Sequence, residues 1–241
     1  MYRENKLSRN LYNSKPRKGQ NTGSSIKYRD VIKSLSKPLP MWEYFFLRYI
    51  YGFLIYININ WLHLHPNVIS ILSFITTLGS IYYFSHSNFL LGAILFELAF
   101  ILDCTDGPTA RLTKQTSKLG VALEVWTDST RLVGGIWALV YGIGITPHTI
   151  ILGAIYSISL TSGIWLYTKS VESALKGGKT INRWVSSGPY WKVPTWIELE
   201  TVGFFLLPLI GKPYLGLWIL ATLHPIMTII MTIHGVIIGE K

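Results

Sequence analysis

Long apolar runs separated by short polar breaks organise the chain from residue 66 onward. Six of them approach the roughly twenty residues that a bilayer-crossing helix requires. They cover 67–86, 89–112, 118–145, 148–169, 197–211 and 214–237, the fifth being short. The first begins just after His65-Pro66-Asn67, where proline suits a helix start. Ahead of it, WEYFFLRYIYGFLIYININWLHLH from Trp42 is apolar but carries Glu43, Arg48, Asn58 and Asn60 among many Trp and Tyr. That mixture suits the membrane interface, so the stretch is read as an interfacial amphipathic helix. Residues 1–28 lack an apolar run and are expected to be a disordered basic arm without the pattern of a signal peptide. The expected architecture is all-α and polytopic. An interfacial segment over 29–65 precedes one six-helix transmembrane domain over 66–241.

Composition supports lipid as the solvent: mean hydropathy is +0.35, 49% of residues are hydrophobic and 14% are charged. The net charge of +10 is not read as a nucleic-acid footprint, because the basic residues flank the apolar runs. The breaks at 85–88 and 144–149 contain no Lys or Arg. The others hold Lys114 and Lys118, and Lys169, Lys176, Lys179, Arg183 and Lys192. With ten Lys/Arg before residue 40, the positive-inside rule places both termini and these two loops on the cytoplasmic side, leaving Lys212 on the far side. The chain is thus expected in the cell membrane, with Lys27, Arg29, Lys33 and Lys37 against anionic headgroups. The single cysteine, Cys104, excludes an intramolecular disulfide and argues against zinc.

The chemistry concentrates between Asp103 and Asp128. Asp103 and Asp106 stand three apart, Glu124 and Asp128 four apart, so on helices each pair shares a face. With the second run ending near Arg111, Asp103 lies about 12 Å inside it. Arg111 and Arg131 are too few to neutralise four carboxylates and Glu97. Divalent cations are the natural complement, and oxygen-only ligands favour Mg²⁺, Mn²⁺ or Ca²⁺. A bridged pair of such ions suits phosphoryl-type transfer. Gly107 and Gly120 let a ligand or a neighbouring helix approach the backbone. Pro108 lacks the N–H that would bond the Cys104 carbonyl, which could then face a metal or ligand.

The pattern D103-x2-D106-G107-x2-A110-R111-x8-G120-x3-E124-x3-D128 resembles the signature of the CDP-alcohol phosphatidyltransferase family, DxxDGxxAR(x8)GxxxDxxxD, at seven of eight fixed positions. The likeness extends from about residue 40 onward. It implies transfer of a substituted phosphate from a CDP-linked donor to an acceptor alcohol, with release of CMP and two divalent metals, Mg²⁺ or Mn²⁺. By position, Asp103, Asp106, Glu124 and Asp128 would bind metal. Asp128 would also be the base that activates the acceptor hydroxyl. Asp106, Gly107, Ala110, Arg111 and Gly120 would form the nucleotide pocket, and a homodimer is implied. Glu124 departs from the pattern, which has aspartate there; its extra methylene moves the carboxylate outward by one C–C bond. A shifted helix, altered metal binding or reduced activity could follow, and retained activity is the reading adopted, because Glu keeps the charge and the donor oxygens.

Other residues are weighed against plainer roles. Arg131 is a candidate for the acceptor's phosphate, with pairing to Asp128 or Glu97 as the alternative. Glu97 reads as a buried hydrogen-bond donor or a residue standing behind the ligands. His224, before Pro225, reads as a satisfied imidazole at a kink. The competing functions are an ion-coupled transporter and an intramembrane Mg-dependent prenyltransferase. The acceptor stays open among glycerol phosphate, inositol phosphate, serine and amino alcohols.

Overall fold

The computed structural model describes residues 26–35, 40–175 and 195–239. Residues 1–25 of the basic arm, together with Lys37, Lys176, Lys179, Arg183 and Lys192, lie outside the described residues. Those described residues form eight helices and no strand. Helix α1 is Tyr28–Ser34. Helix α2 is continuous through the segments Glu43–Leu47, Arg48–Ile57 and Asn58–Leu62, the outer two wound as π turns. Helices α3 (Pro66–Ser85) and α4 (Phe89–Thr113) follow. Helix α5 joins Lys118–Ser129, a π turn over Thr130–Gly134, and Gly135–Ile143. Helix α6 is Pro147–Leu175. Helix α7 joins Trp196–Glu200, Thr201–Leu206 and Leu207–Leu209, and α8 is Pro213–Gly239. The last six match the six apolar runs within a turn, except that α6 continues six residues beyond the expected end at 169, while α1 was not anticipated as a helix.

The boundaries follow from local chemistry. Pro66 opens α3, with the His65 imidazole Nδ1 accepting from the Asn67 N–H at 3.2 Å. Side-chain oxygens of Asn88 and Ser117 cap α4 and α5 by accepting from Leu91 and Gly120 backbone N–H groups. Lys114 adopts left-handed geometry and ends α4, so α5 returns antiparallel to it. Gly211 supplies the positive φ of the tight turn into α8.

Helices α3 and α4 make the closest pair, and small polar residues allow it. Ser70, Ser73, Thr77 and Ser80 recur at helical spacing and are buried. Ser73 and Ser80 donate to the Ala99 and Gly92 carbonyls at 2.7 and 2.8 Å. The core below the acidic residues joins Phe84, Phe96, Leu139, Tyr156, Phe204 and Leu220. Two of these helices, over Pro66–Ser85 and Pro213–Ile230, are long and apolar enough by composition alone to cross a bilayer. Helix α4 carries Glu97, Asp103 and Asp106 within its apolar length.

Helix α2 packs lengthwise beside α4 rather than standing apart from the bundle. Its first residues meet Glu97, whose Oε1 accepts from Trp42 Nε1–H at 2.7 Å, and Tyr51, Leu47 and Ile55 share a core with Phe100. Glu97 therefore accepts a hydrogen bond, which corrects the donor role expected of it. The Trp42 backbone N–H donates to Glu198 Oε1 at 2.9 Å, and Glu198 also closes a capping box with Thr195 at the start of α7. The starts of α2 and α7 thus meet near Glu97, about 24 Å from the Thr113 end of α4 at 1.5 Å per residue. Helix α7 begins part-way down the bundle, which is why the fifth apolar run is short.

Candidate active site

Antiparallel pairing of α4 and α5 brings the acidic residues together level by level. From the turn joining the helices, Asp103 and Asp128 both lie about 15 Å down, and Asp106 and Glu124 about 10 Å down. Electrostatics follow the same pairing: among the like charges, Asp128 acts most strongly on Asp103, and Glu124 most strongly on Asp106. Asp106 is buried, Asp103 is partly so, the Asp128 side chain is 45% exposed and Glu124 is exposed. The two carboxylates on α5 are therefore the wetter side of the cluster, and the two on α4 the drier.

The carboxylates differ in how they are held. Ser70 on α3 donates to Asp106 Oδ2. Arg131 Nη2 donates to Asp128 Oδ1 at 2.8 Å. Glu124 lies within electrostatic reach of Arg111. Asp103 Oδ1 is buried without a hydrogen-bond partner. An ionised carboxylate only accepts, so this orphan oxygen calls for a donor or a cation. Among the described residues, no three His, Cys, Asp or Glu side chains converge on a common coordination point. The fit to a cation rests on the all-oxygen donor set, its excess negative charge and the orphan oxygen.

At the mouth, the glycines admit close neighbours. A Cβ on Gly107 would come within 3.3 Å of Arg111 Nη1, so the guanidinium folds over that bare backbone. One on Gly120 would lie 3.1 Å from Asn67 Oδ1 and 3.2 Å from Ser117 Oγ. Ala110 is the small, partly buried residue next to Arg111, completing the positions expected for the nucleotide. Helix α4 runs through Pro108 without a break. Arg131 is only 4% exposed, its guanidinium lying over the Phe100 and Phe96 rings at 4.7 and 5.1 Å.

Asn67 and Ser70 were not singled out from the sequence as site residues. The signal was the buried Ser/Thr stripe on α3, whose first member faces Asp106. Replacing Ser70 with alanine removes the side-chain donor on Asp106, leaving the backbone N–H of Gly107 and the burial in place. With Mn²⁺ as a probe, the midpoint of cation-induced thermal stabilisation is expected to rise about tenfold in this variant.

The sequence model of CDP-alcohol phosphatidyltransferases matches residues 63–237, which takes in α3, α4, α5 and the whole acidic cluster. The chain belongs to the CDP-alcohol phosphatidyltransferase family. It is similar to CDP-diacylglycerol--serine O-phosphatidyltransferases from two strains of Helicobacter pylori, each 39% identical over 70 residues. That likeness covers 29% of this chain and 30% of each relative's length. Membership of a membrane-enzyme family, with the two helices apolar enough to span, makes this a membrane protein. The family does not favour the transporter and prenyltransferase readings.

Proposed function

We propose that this protein transfers a substituted phosphate from a CDP-alcohol, with CDP-diacylglycerol the leading donor, to the hydroxyl of a second alcohol in phospholipid synthesis. The observation that carries the reading is the level pairing of Asp103 with Asp128 and of Asp106 with Glu124, inside a chain of this family. In the reaction, the acceptor oxygen forms a bond to the phosphorus bearing the donor alcohol. The pyrophosphate P–O bond breaks, CMP leaves, and the acceptor proton passes to Asp128. Asp128 suits that role because its carboxylate is half exposed and held at one oxygen only.

Asp103, Asp106, Glu124 and Asp128 would hold Mg²⁺ or Mn²⁺, which would neutralise the pyrophosphate and stabilise the charge that develops at phosphorus. Asp106, Gly107, Ala110, Arg111 and Gly120 form the nucleotide pocket in this reading. The bare backbone admits the cytidine, and Arg111 offers a planar fork to phosphate oxygens. Arg131 keeps Asp128 in place, and its unpartnered Nε provides a donor toward an anionic acceptor. Helices α3 to α8 are six spans with the 113–118 turn on the cytoplasmic side of the cell membrane. The exposed Phe45, Phe46, Tyr49 and Phe53 of α2 then face lipid alongside the bundle. A homodimer completes the proposal.

The Glu124 side chain tests it. Helix α5 holds Glu124 exposed and near the mouth, so its longer side chain has room to adjust. Wild type is expected to release CMP, and Glu124→Asp to change that rate by less than about tenfold. A silent wild type beside an active Glu124→Asp would show that the glutamate disables the site.

A further inference from the structure

A further buried carboxylate, Glu200, stands behind the site, on the far side of Arg131. Helices α5 and α7 run in the same direction and are brought into register by an aromatic stack. A Cβ on Gly135 would meet Phe96 at 3.3 Å and Phe204 at 3.4 Å, and those two rings stack at 4.5 Å. Arg131 precedes Gly135 by one turn and Glu200 precedes Phe204 by one turn, so Arg131 and Glu200 face each other at one level. Both are at least nine-tenths buried.

Among the described residues, Arg131 is the principal cation acting on Glu200, and the Tyr156 hydroxyl also lies within reach of that carboxylate. Its Oε1 lies 3.9 Å from His224 Nε2, beyond hydrogen-bonding distance. His224 is 1% exposed, its Nδ1 engages Ser159 Oγ at 2.8 Å, and its Nε2 has no partner. The expectation of a satisfied imidazole therefore holds at one ring nitrogen only. Glu97 and Asp103 also lie within electrostatic reach of Arg131. The direct hydrogen bond from Arg131, however, goes to Asp128 alone.

We propose that Glu200 is a positioning residue for Asp128, acting through Arg131. Two carboxylates share one buried guanidinium, and the share that Glu200 takes limits how firmly Arg131 holds Asp128. Without the charge on Glu200, the attraction of the Arg131 guanidinium would fall more fully on Asp128, which it already bonds. That carboxylate would then be less available to a cation and to an acceptor hydroxyl. The catalytic half of this inference rests on the reaction proposed above; the cation half does not.

The test uses full-length protein in detergent carrying Glu200→Gln, which keeps the side-chain shape and removes its charge. Thermal unfolding is followed across a Mn²⁺ titration. The midpoint of Mn²⁺ stabilisation is expected to rise about tenfold. In the CMP-release assay kcat is expected to fall about tenfold, with KM for CDP-diacylglycerol changed less than about twofold. Glu200→Asp, which retains the charge on a shorter arm, should shift both readings the same way by a smaller factor, and it serves alone if Glu200→Gln does not fold. A lowered unfolding temperature with an unchanged Mn²⁺ midpoint in either variant would mean that Glu200 is structural only, and would overturn the inference. The Mn²⁺ titration needs no turnover, so an inactive wild type would count against the proposed reaction without deciding the role of Glu200.

Discussion

Asp128→Asn is expected to lower CMP release by at least about 100-fold while leaving the protein folded. Asparagine has nearly the same shape, and its side-chain oxygen can still accept from Arg131 Nη2, the bond that holds Asp128 at 2.8 Å. What disappears is the negative charge and the ability to take a proton. The exposure of this side chain limits the structural cost, because solvent already shares its environment. Initial rates of CMP release and the thermal unfolding curve, taken on the same preparation, separate chemistry from folding. A variant within about fivefold of wild type would remove Asp128 from the role of base.

Gly216→Val is expected to disrupt the fold, costing more than about 3 kcal/mol and abolishing recovery of folded protein. Helices α7 and α8 cross with almost no separation at this point. A Cβ on Gly216 would overlap the Gly203 carbonyl oxygen, and one on Gly203 would overlap the Leu220 side chain. A leucine side chain can rotate away, but a backbone carbonyl cannot, so only separation of the two helices would relieve the clash. Separation would also pull Glu200 from His224 and disturb the Phe96–Phe204 stack beneath Arg131. Size-exclusion behaviour in detergent and the unfolding midpoint report the outcome. An unchanged midpoint would mean that this crossing is looser than the geometry describes.

The long helices were legible because their signals are local. Apolar runs of bilayer length start at Pro66, Asn88, Ser117 and Pro213 with residues that cap or open helices, and they stop at polar turns. The acidic motif was equally legible, since its meaning lies in spacing along two consecutive helices. Helix α1 carries only seven residues, too few for a periodicity to stand out. The meeting of Trp42, Glu97 and Glu198 depends on residues 55 to 156 positions apart, and no local pattern announces it. Ser70 and Glu200 escaped notice for a related reason. Each lies on a helix outside the motif and gains its meaning only from what the packing sets opposite it, Asp106 in one case and Arg131 in the other. The short α7 was visible as a length, yet its cause is the level at which it begins, which is a property of the bundle.

The most direct test of the whole account is whether CMP and a new phospholipid appear together when detergent-purified protein is given CDP-diacylglycerol, Mg²⁺ or Mn²⁺ and a panel of acceptors. The panel contains serine, glycerol phosphate, inositol phosphate and amino alcohols. The account predicts equimolar CMP and lipid product with one acceptor class, dependent on the added cation. Folded protein that forms neither product with any acceptor, or that forms both equally well in the presence of a chelator, would contradict it.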